Sequence, residues 1–190
     1  YHHGKANGRV REYSSDSKIY MDATFKDGHR HGKCTHFHKD GNPFEVAEYV
    51  NGVKEGVVSK YYENGKLLAT IIYKNNKVQP GLREFKVDGT EITEDTELIV
   101  REVDHVAKEG KYYFEISLSK PKANVDYYAS PVSDPESRQK LKSSGNAGIL
   151  EIPVKSKHFV MKDMVFQAEY KTKLGNPMRL MKRYHHAVKG

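Results

Sequence analysis

The chain has 190 residues, with 32 Lys or Arg against 25 Asp or Glu and 13 Tyr beside 7 Phe. No stretch approaches the ~18 apolar residues that a membrane-spanning helix needs, so no transmembrane segment is expected. The single cysteine, Cys34, excludes an intrachain disulfide framework.

Taken in order, the first half repeats itself every 24 residues. Gly4 is followed by Gly28 and Gly52, and Gly8 by Gly32 and Gly56. Tyr13, Phe37, Tyr61 and Phe85 form a second column; Asp16, Asp40, Asn64 and Asp88 a third. Ser17, Gly41, Gly65 and Gly89 follow them, and then Tyr20, Phe44, Leu68 and Ile92. Columns that hold register without an insertion mark a repeat architecture.

Each copy reads as strand, turn, strand. Asp40-Gly41 and Asn64-Gly65 suit a two-residue type I′ turn, whose twist matches that of a hairpin. That register sets Tyr61 opposite Leu68, Val57 opposite Ile72 and, on the other face, Lys60 opposite Ala69 and Val58 opposite Ile71. It also predicts an apolar ladder of Tyr13/Tyr20, Phe37/Phe44, Tyr61/Leu68 and Phe85/Ile92. Arg11 then faces Asp22, Lys33 faces Glu48 and Arg83 faces Glu94. Phe25, Tyr49 and Tyr73 lie across Gly8, Gly32 and Gly56, where an aromatic ring covers backbone that glycine leaves bare.

The stretch YYENGKL…YKNNK and the turns GHRHG and GVKEG resemble the MORN repeat variant. The resemblance covers roughly the first half and implies an elongated antiparallel meander with two strands per unit. It implies binding rather than a particular reaction. Proteins with such repeats include bacterial proteins described by similarity as antitoxin-like, exported bacterial proteins and scaffolds at membranes.

The repeat fails between Glu94 and Glu97, which predicts a repeat domain over 1–96 and a second domain over 97–190. LIVREVDHV (98–106), KYYFEISLS (111–119), VDYYASPV (125–132), GILEIPV (148–154), MVFQAEYKTK (164–173) and MRLMKRYHHAV (178–188) read as strands. Residues 133–148 are polar and turn-rich, a loop with a short strand around Leu141, and 133–147 is the expected first site of proteolysis. Six or seven strands with no helical pattern point to an immunoglobulin-like β-sandwich. The fold class is therefore all-β: about four hairpin repeats followed by a sandwich.

Residues 1–96 hold 15 basic side chains against 14 acidic ones; residues 97–190 hold 17 against 11. Within the second half, residues 155–189 carry nine basic side chains together with His158, His185 and His186. Such an excess can attract an anionic polymer or a membrane surface.

His29, His31, Cys34, His36 and His38 could in principle hold zinc or copper. Their columns argue otherwise: the histidines stand where polar residues come and go, and Cys34 stands where Val10, Val58 and Leu82 stand. No metal or cofactor is expected. No Gly-x-Ser-x-Gly, phosphate-binding loop, His-Glu-x-x-His or Cys-x-x-Cys is present, so no catalytic residue is named and a non-enzymatic protein is expected.

The expected role is a protein-contact or assembly scaffold at the cell envelope, with a protein partner or self-association and no specific nucleic acid. The candidate binding residues are Tyr49, Lys60, Tyr62, Tyr73, His36 and His38, rings and polar tips of the kind found at interfaces. Two other readings stand beside it: a basic sandwich on an anionic polymer or membrane, and an antitoxin-like role implied by resemblance. A chain that begins at Tyr1 rather than Met fits removal of an export signal, giving a periplasmic, outer-membrane-associated or secreted protein.

Overall fold

The structure is a computed structural model that describes residues 4–154 and 160–188, with backbone only at 160–162 and 186–188. His158 and the side chain of His186 thus lie outside the described residues. The chain forms two compact units, Tyr1–Glu94 and Asp95–Gly190.

The first unit is one antiparallel sheet of nine strands. They are β1 (Gly8–Tyr13), β2 (Ile19–Lys26), β3 (His29–Phe37), β4 (Pro43–Val50), β5 (Val53–Tyr61), β6 (Leu67–Lys74), β7 (Lys77–Val78), β8 (Arg83–Phe85) and β9 (Glu91–Ile92). Neighbours in sequence pair in turn, except that β6 pairs with both β7 and β8. Strand interiors keep the register of the repeat: Val58 faces Ile71, Val57 faces Ile72 and Lys60 faces Ala69. Phe25, Tyr49 and Tyr73 lie opposite Gly8, Gly32 and Gly56.

The turns differ from expectation. Tight type I′-like turns occur between repeats, at Asp27-Gly28, Asn51-Gly52 and Asn75-Asn76, where both central residues have positive φ. They close the pairs Lys26/His29, Val50/Val53 and Lys74/Lys77. Within each repeat the loop has three residues. At the third tip Gly65 N–H donates to the Tyr62 carbonyl (2.9 Å) and Tyr62 N–H to the Lys66 carbonyl (2.9 Å). Only the second residue of the pair is left-handed, with φ 78° at Gly65 and 60° at Ser17. This is a type I turn followed by a bulge. Asn64 serves it through its side chain, which accepts from Lys66 N–H at 3.1 Å.

The longer loop shifts the pairing beside each tip, and a bulge restores it one residue later. Tyr13 pairs with Ile19, Phe37 with Pro43 and Tyr61 with Leu67. Tyr20, Phe44 and Leu68 become the extra residues, standing with Met21, Glu45 and Ala69 opposite Glu12, His36 and Lys60. The ladder Tyr13/Tyr20, Phe37/Phe44, Tyr61/Leu68 therefore does not form. In the fourth copy Glu84 faces Ile92, and Arg83 bonds Glu91 (2.8 Å) instead of the expected Glu94.

Burial also runs opposite to the ladder. Met21, Ala23, Cys34, Ala47, Tyr49, Val58 and Ile71 form the core of this unit, with Phe25, Tyr73, Val78 and Leu82 packed on it. The side chains at 23, 34 and 47 are small, and the long ones of Arg30 and Lys54 lie over the rings of Tyr49 and Tyr73 on the same face. We call this the inner face.

The second unit has two antiparallel sheets of four strands. Its strands are β10 (Leu98–His105), β11 (Lys111–Leu118), β12 (Asp126–Pro131), β13 (Gln139–Lys140), β14 (Lys142–Ser144), β15 (Ala147–Pro153), β16 (Val160–Lys171) and β17 (Pro177–Val188). A one-turn helix, α1 (Val106–Glu109), joins the first two. One sheet runs β10-β11-β15-β14 and the other β13-β12-β16-β17. That is the strand order of immunoglobulin-type domains. Phe114 of one sheet meets Phe166 of the other at 5.3 Å between ring centres. Gly148 on β15 is required by Tyr127: a Cβ there would lie 2.4 Å from the tyrosine Cβ.

The polar 133–138 segment is pinned. Gln167 Nε2 donates to the Pro135 carbonyl (2.8 Å), and Arg179, whose side chain is fully buried, donates to Glu136 Oε1 (2.9 Å) and Gln167 Oε1 (2.7 Å).

Candidate functional site

The six residues singled out from the sequence divide into two groups. Tyr49, Tyr73, His36 and Lys60 lie along the inner face, in register with buried neighbours. Tyr49 is 7% exposed, and the Arg30 guanidinium lies 5.5 Å from its ring centre. One repeat later Lys54 lies 5.4 Å from the ring centre of Tyr73 and donates to Glu45 Oε1 at 2.6 Å. Burial, the largest single influence, pushes the Lys54 ammonium down, but the bond to Glu45, the Glu45 charge and the neighbouring Tyr49 and Tyr73 together carry the group above its ordinary value. Burial also holds His36 below the usual imidazole range, against the pull of Glu45. The neutral ring is thus favoured. Arg30 and Lys54 were not singled out; their shared 24-residue column, and the one that holds Tyr49 and Tyr73, is the signal that could have found them.

His38 and Tyr62 belong to the hairpin tips, where they tie one repeat to the next. His38 Nε2 lies 2.9 Å from the Tyr61 carbonyl, and a carbonyl only accepts, so the proton is on Nε2. The Tyr62 hydroxyl donates to the Phe85 carbonyl at 2.7 Å, one repeat on. Asn42 Nδ2 donates to the Glu63 carbonyl (2.7 Å) and Lys18 Nζ to the Lys39 carbonyl (2.8 Å) in the same way. At the opposite ends of the strands, Gly28, Gly52 and Asn76 N–H groups donate to the carbonyls of Ala6, Arg30 and Lys54.

The other histidines have separate tasks. His31 Nδ1 sits 3.1 Å from Asn51 Oδ1, at a position from which Asn7 and Glu55 accept the N–H of Asp27 and Asn75. His29 rests against Gly52. Cys34 is 1% exposed, and burial raises its thiol pKa. Among the described residues no three His, Cys, Asp or Glu side chains are grouped to hold a metal ion.

The outer face carries a continuous row of register partners: Arg11, Asp22, Thr35, Val46, Ser59, Thr70 and Arg83. Beside it Val57 and Ile72, partners on β5 and β6, are 55% and 37% exposed. Arg9 grips Asp22 with Nε to Oδ1 at 2.8 Å, and Arg11 adds a bond at 3.2 Å. Together they hold the Asp22 carboxyl down to about 2. A cleft of about 410 Å³ opens here between Arg9, Thr24, Lys33, Phe37, Pro43 and Val46.

Residues 30–51 and 54–75 match the MORN repeat variant. The chain carries MORN-variant repeats. Each matched segment begins at the inner-face cation, Arg30 or Lys54, and runs through the hairpin to Asn51 or Asn75 of the next tight turn. No curated protein matches the chain. MORN repeats are generally protein- or membrane-binding modules, which is compatible with a non-enzymatic binding role. No helix among the described residues is long and apolar enough to cross a membrane.

Proposed function

We propose that the MORN-variant sheet is a protein-contact scaffold and that its outer face makes the contact. The observation that carries this reading is the exposure of Val57 and Ile72, side by side in the middle of a regular sheet, along a row of small β-branched and hydroxylated side chains. Apolar side chains that could have been buried are instead presented next to polar ones, as at the cores and rims of interfaces. The inner face and the tips offer less: Tyr49 is nearly covered, and the Tyr62 and His38 polar atoms at the tips are spent on neighbouring backbone.

The reading of the second unit as a basic surface for an anionic polymer has weaker support. Lys111, Lys120, Arg138, Lys140 and Arg179 each pair with a carboxylate, which satisfies charges that a polyanion would need.

The test is capture of a binding partner by the immobilised chain, beside Val57→Glu and Ile72→Lys variants checked for an unchanged melting temperature. The proposal expects capture that persists at high salt and is lost in both variants. Capture that survives in both, or that disappears with salt alone, overturns it.

A further inference from the structure

The repeat supplies an internal standard at its tips, and the first tip departs from it. His38 and Tyr62 occupy the same column 24 residues apart, and each reaches the carbonyl 23 residues on, Tyr61 or Phe85. The first member of the column is Ser14, and the matching carbonyl is that of Phe37. A serine side chain cannot span to it. Ser14 Oγ turns back instead, its one proton shared between the Asp16 carboxylate and the Lys18 carbonyl (3.0 Å) of its own tip. Where the ring would lie there is a cleft of about 350 Å³, and Ser14, Lys18, Tyr20, Phe37, His38 and Lys39 line it.

The walls match those around the ring that is present one repeat later. His38 packs edge-on against Phe44, with ring centres 5.1 Å apart. The residue 24 positions before Phe44 is Tyr20, and it lines the cleft. Its hydroxyl is held by Glu12, which fixes the ring as a wall.

We propose that this cleft is a binding slot for a single aromatic ring bearing one hydrogen-bond donor, a phenol. The ring stacks edge-on against Tyr20 in the place of His38 on Phe44, and its hydroxyl donates to the Phe37 carbonyl in the place of Tyr62 on Phe85. The ligand completes the first repeat by supplying the side chain that Ser14 lacks. The phenol is either a free small molecule or the tyrosine side chain of a bound protein.

The test uses p-cresol, the side-chain analogue of tyrosine, and toluene, which lacks the donor, followed by amide-resolved NMR of the full chain. The expected result is saturable shifts confined to residues 14–20 and 37–39, with a Kd on the order of millimolar for so few contact atoms. Toluene should bind at least about threefold more weakly, as the loss of one modest hydrogen bond implies. Ser14→Tyr, which fills the slot from within, should abolish the shifts and raise the melting temperature by about 2–4 °C. Ser14→His serves the same purpose if the tyrosine variant does not fold. N-acetyltyrosinamide separates the sources: its binding alongside p-cresol identifies a side chain, and binding of p-cresol alone a free phenol. No saturable shift with p-cresol, equal binding of toluene, or shifts that survive in the filled variant would overturn the assignment.

Discussion

Tyr62 shows how far the role of one residue depends on what its polar atom reaches. From the sequence, Tyr62→Ala should weaken partner capture and leave the melting temperature alone. With its hydroxyl on the Phe85 carbonyl, Tyr62→Phe should instead cost about 1 kcal/mol in denaturant unfolding, the usual worth of one such bond. Asp22 makes a second residue-scale prediction. Its folded pKa, about 2, lies below the ordinary 3.8, so its stabilising effect is complete above the unfolded value and is lost as pH falls from about 4 towards 2. Melting temperatures across that range should fall more steeply in the wild type than in Asp22→Asn. Arg179→Ala strips a fully buried guanidinium from Gln167 and Glu136 and should destabilise by about 3 kcal/mol or more.

At the scale of the hairpin, Ser17 is the weak copy of its column. It holds φ 60° where Gly41, Gly65 and Gly89 hold the same left-handed region without a Cβ. Ser17→Gly should therefore stabilise by roughly 0.5–1 kcal/mol, measured by chemical denaturation. The 24-residue columns made the hairpins and their interior register legible, because facing residues had to match in every copy. They left the turn open. Asn-Gly serves both a two-residue I′ turn and a three-residue loop with a bulge, and the dipeptide alone does not count the loop. That one residue moved Tyr20, Phe44 and Leu68 away from Tyr13, Phe37 and Tyr61 and undid the expected ladder. The buried face was readable elsewhere. Ala23, Ala47 and Ile71 form one 24-residue column, and Cys34, Val58 and Leu82 another, with no charged member in either.

Across the whole molecule, the two units differ in what holds them. The MORN-variant sheet is stabilised by neighbour-to-neighbour ties, the second unit by ring contacts between its sheets and a buried polar network. The polar 133–138 segment illustrates the second kind. Composition marked it as an open loop, but Gln167 and Arg179 fasten its backbone and Glu136 from below. Limited proteolysis should accordingly spare it in the wild type and cut it in Arg179→Ala. The candidate contact residues were harder to read, because a sequence lists Tyr62 and His38 as exposed-type side chains and cannot show that a carbonyl one repeat away claims them.

The bonds that run from each tip and each tight turn to the next repeat recur at the same 24-residue step: Gly28 to Ala6, Gly52 to Arg30, Asn76 to Lys54. Such a ladder makes the array a ruler with interchangeable divisions. Excising residues 32–55 would remove one 24-residue unit and join His31 to Gly56, and every severed tie would find an equivalent acceptor. The sheet would then be narrower by two strands, about 9.6 Å, with its remaining hairpins unchanged. A partner that spans the outer face would lose one division of contact, and duplication of the same segment would add one. Length along the sheet is thus set in the gene by a count of copies, independently of the chemistry at any single position.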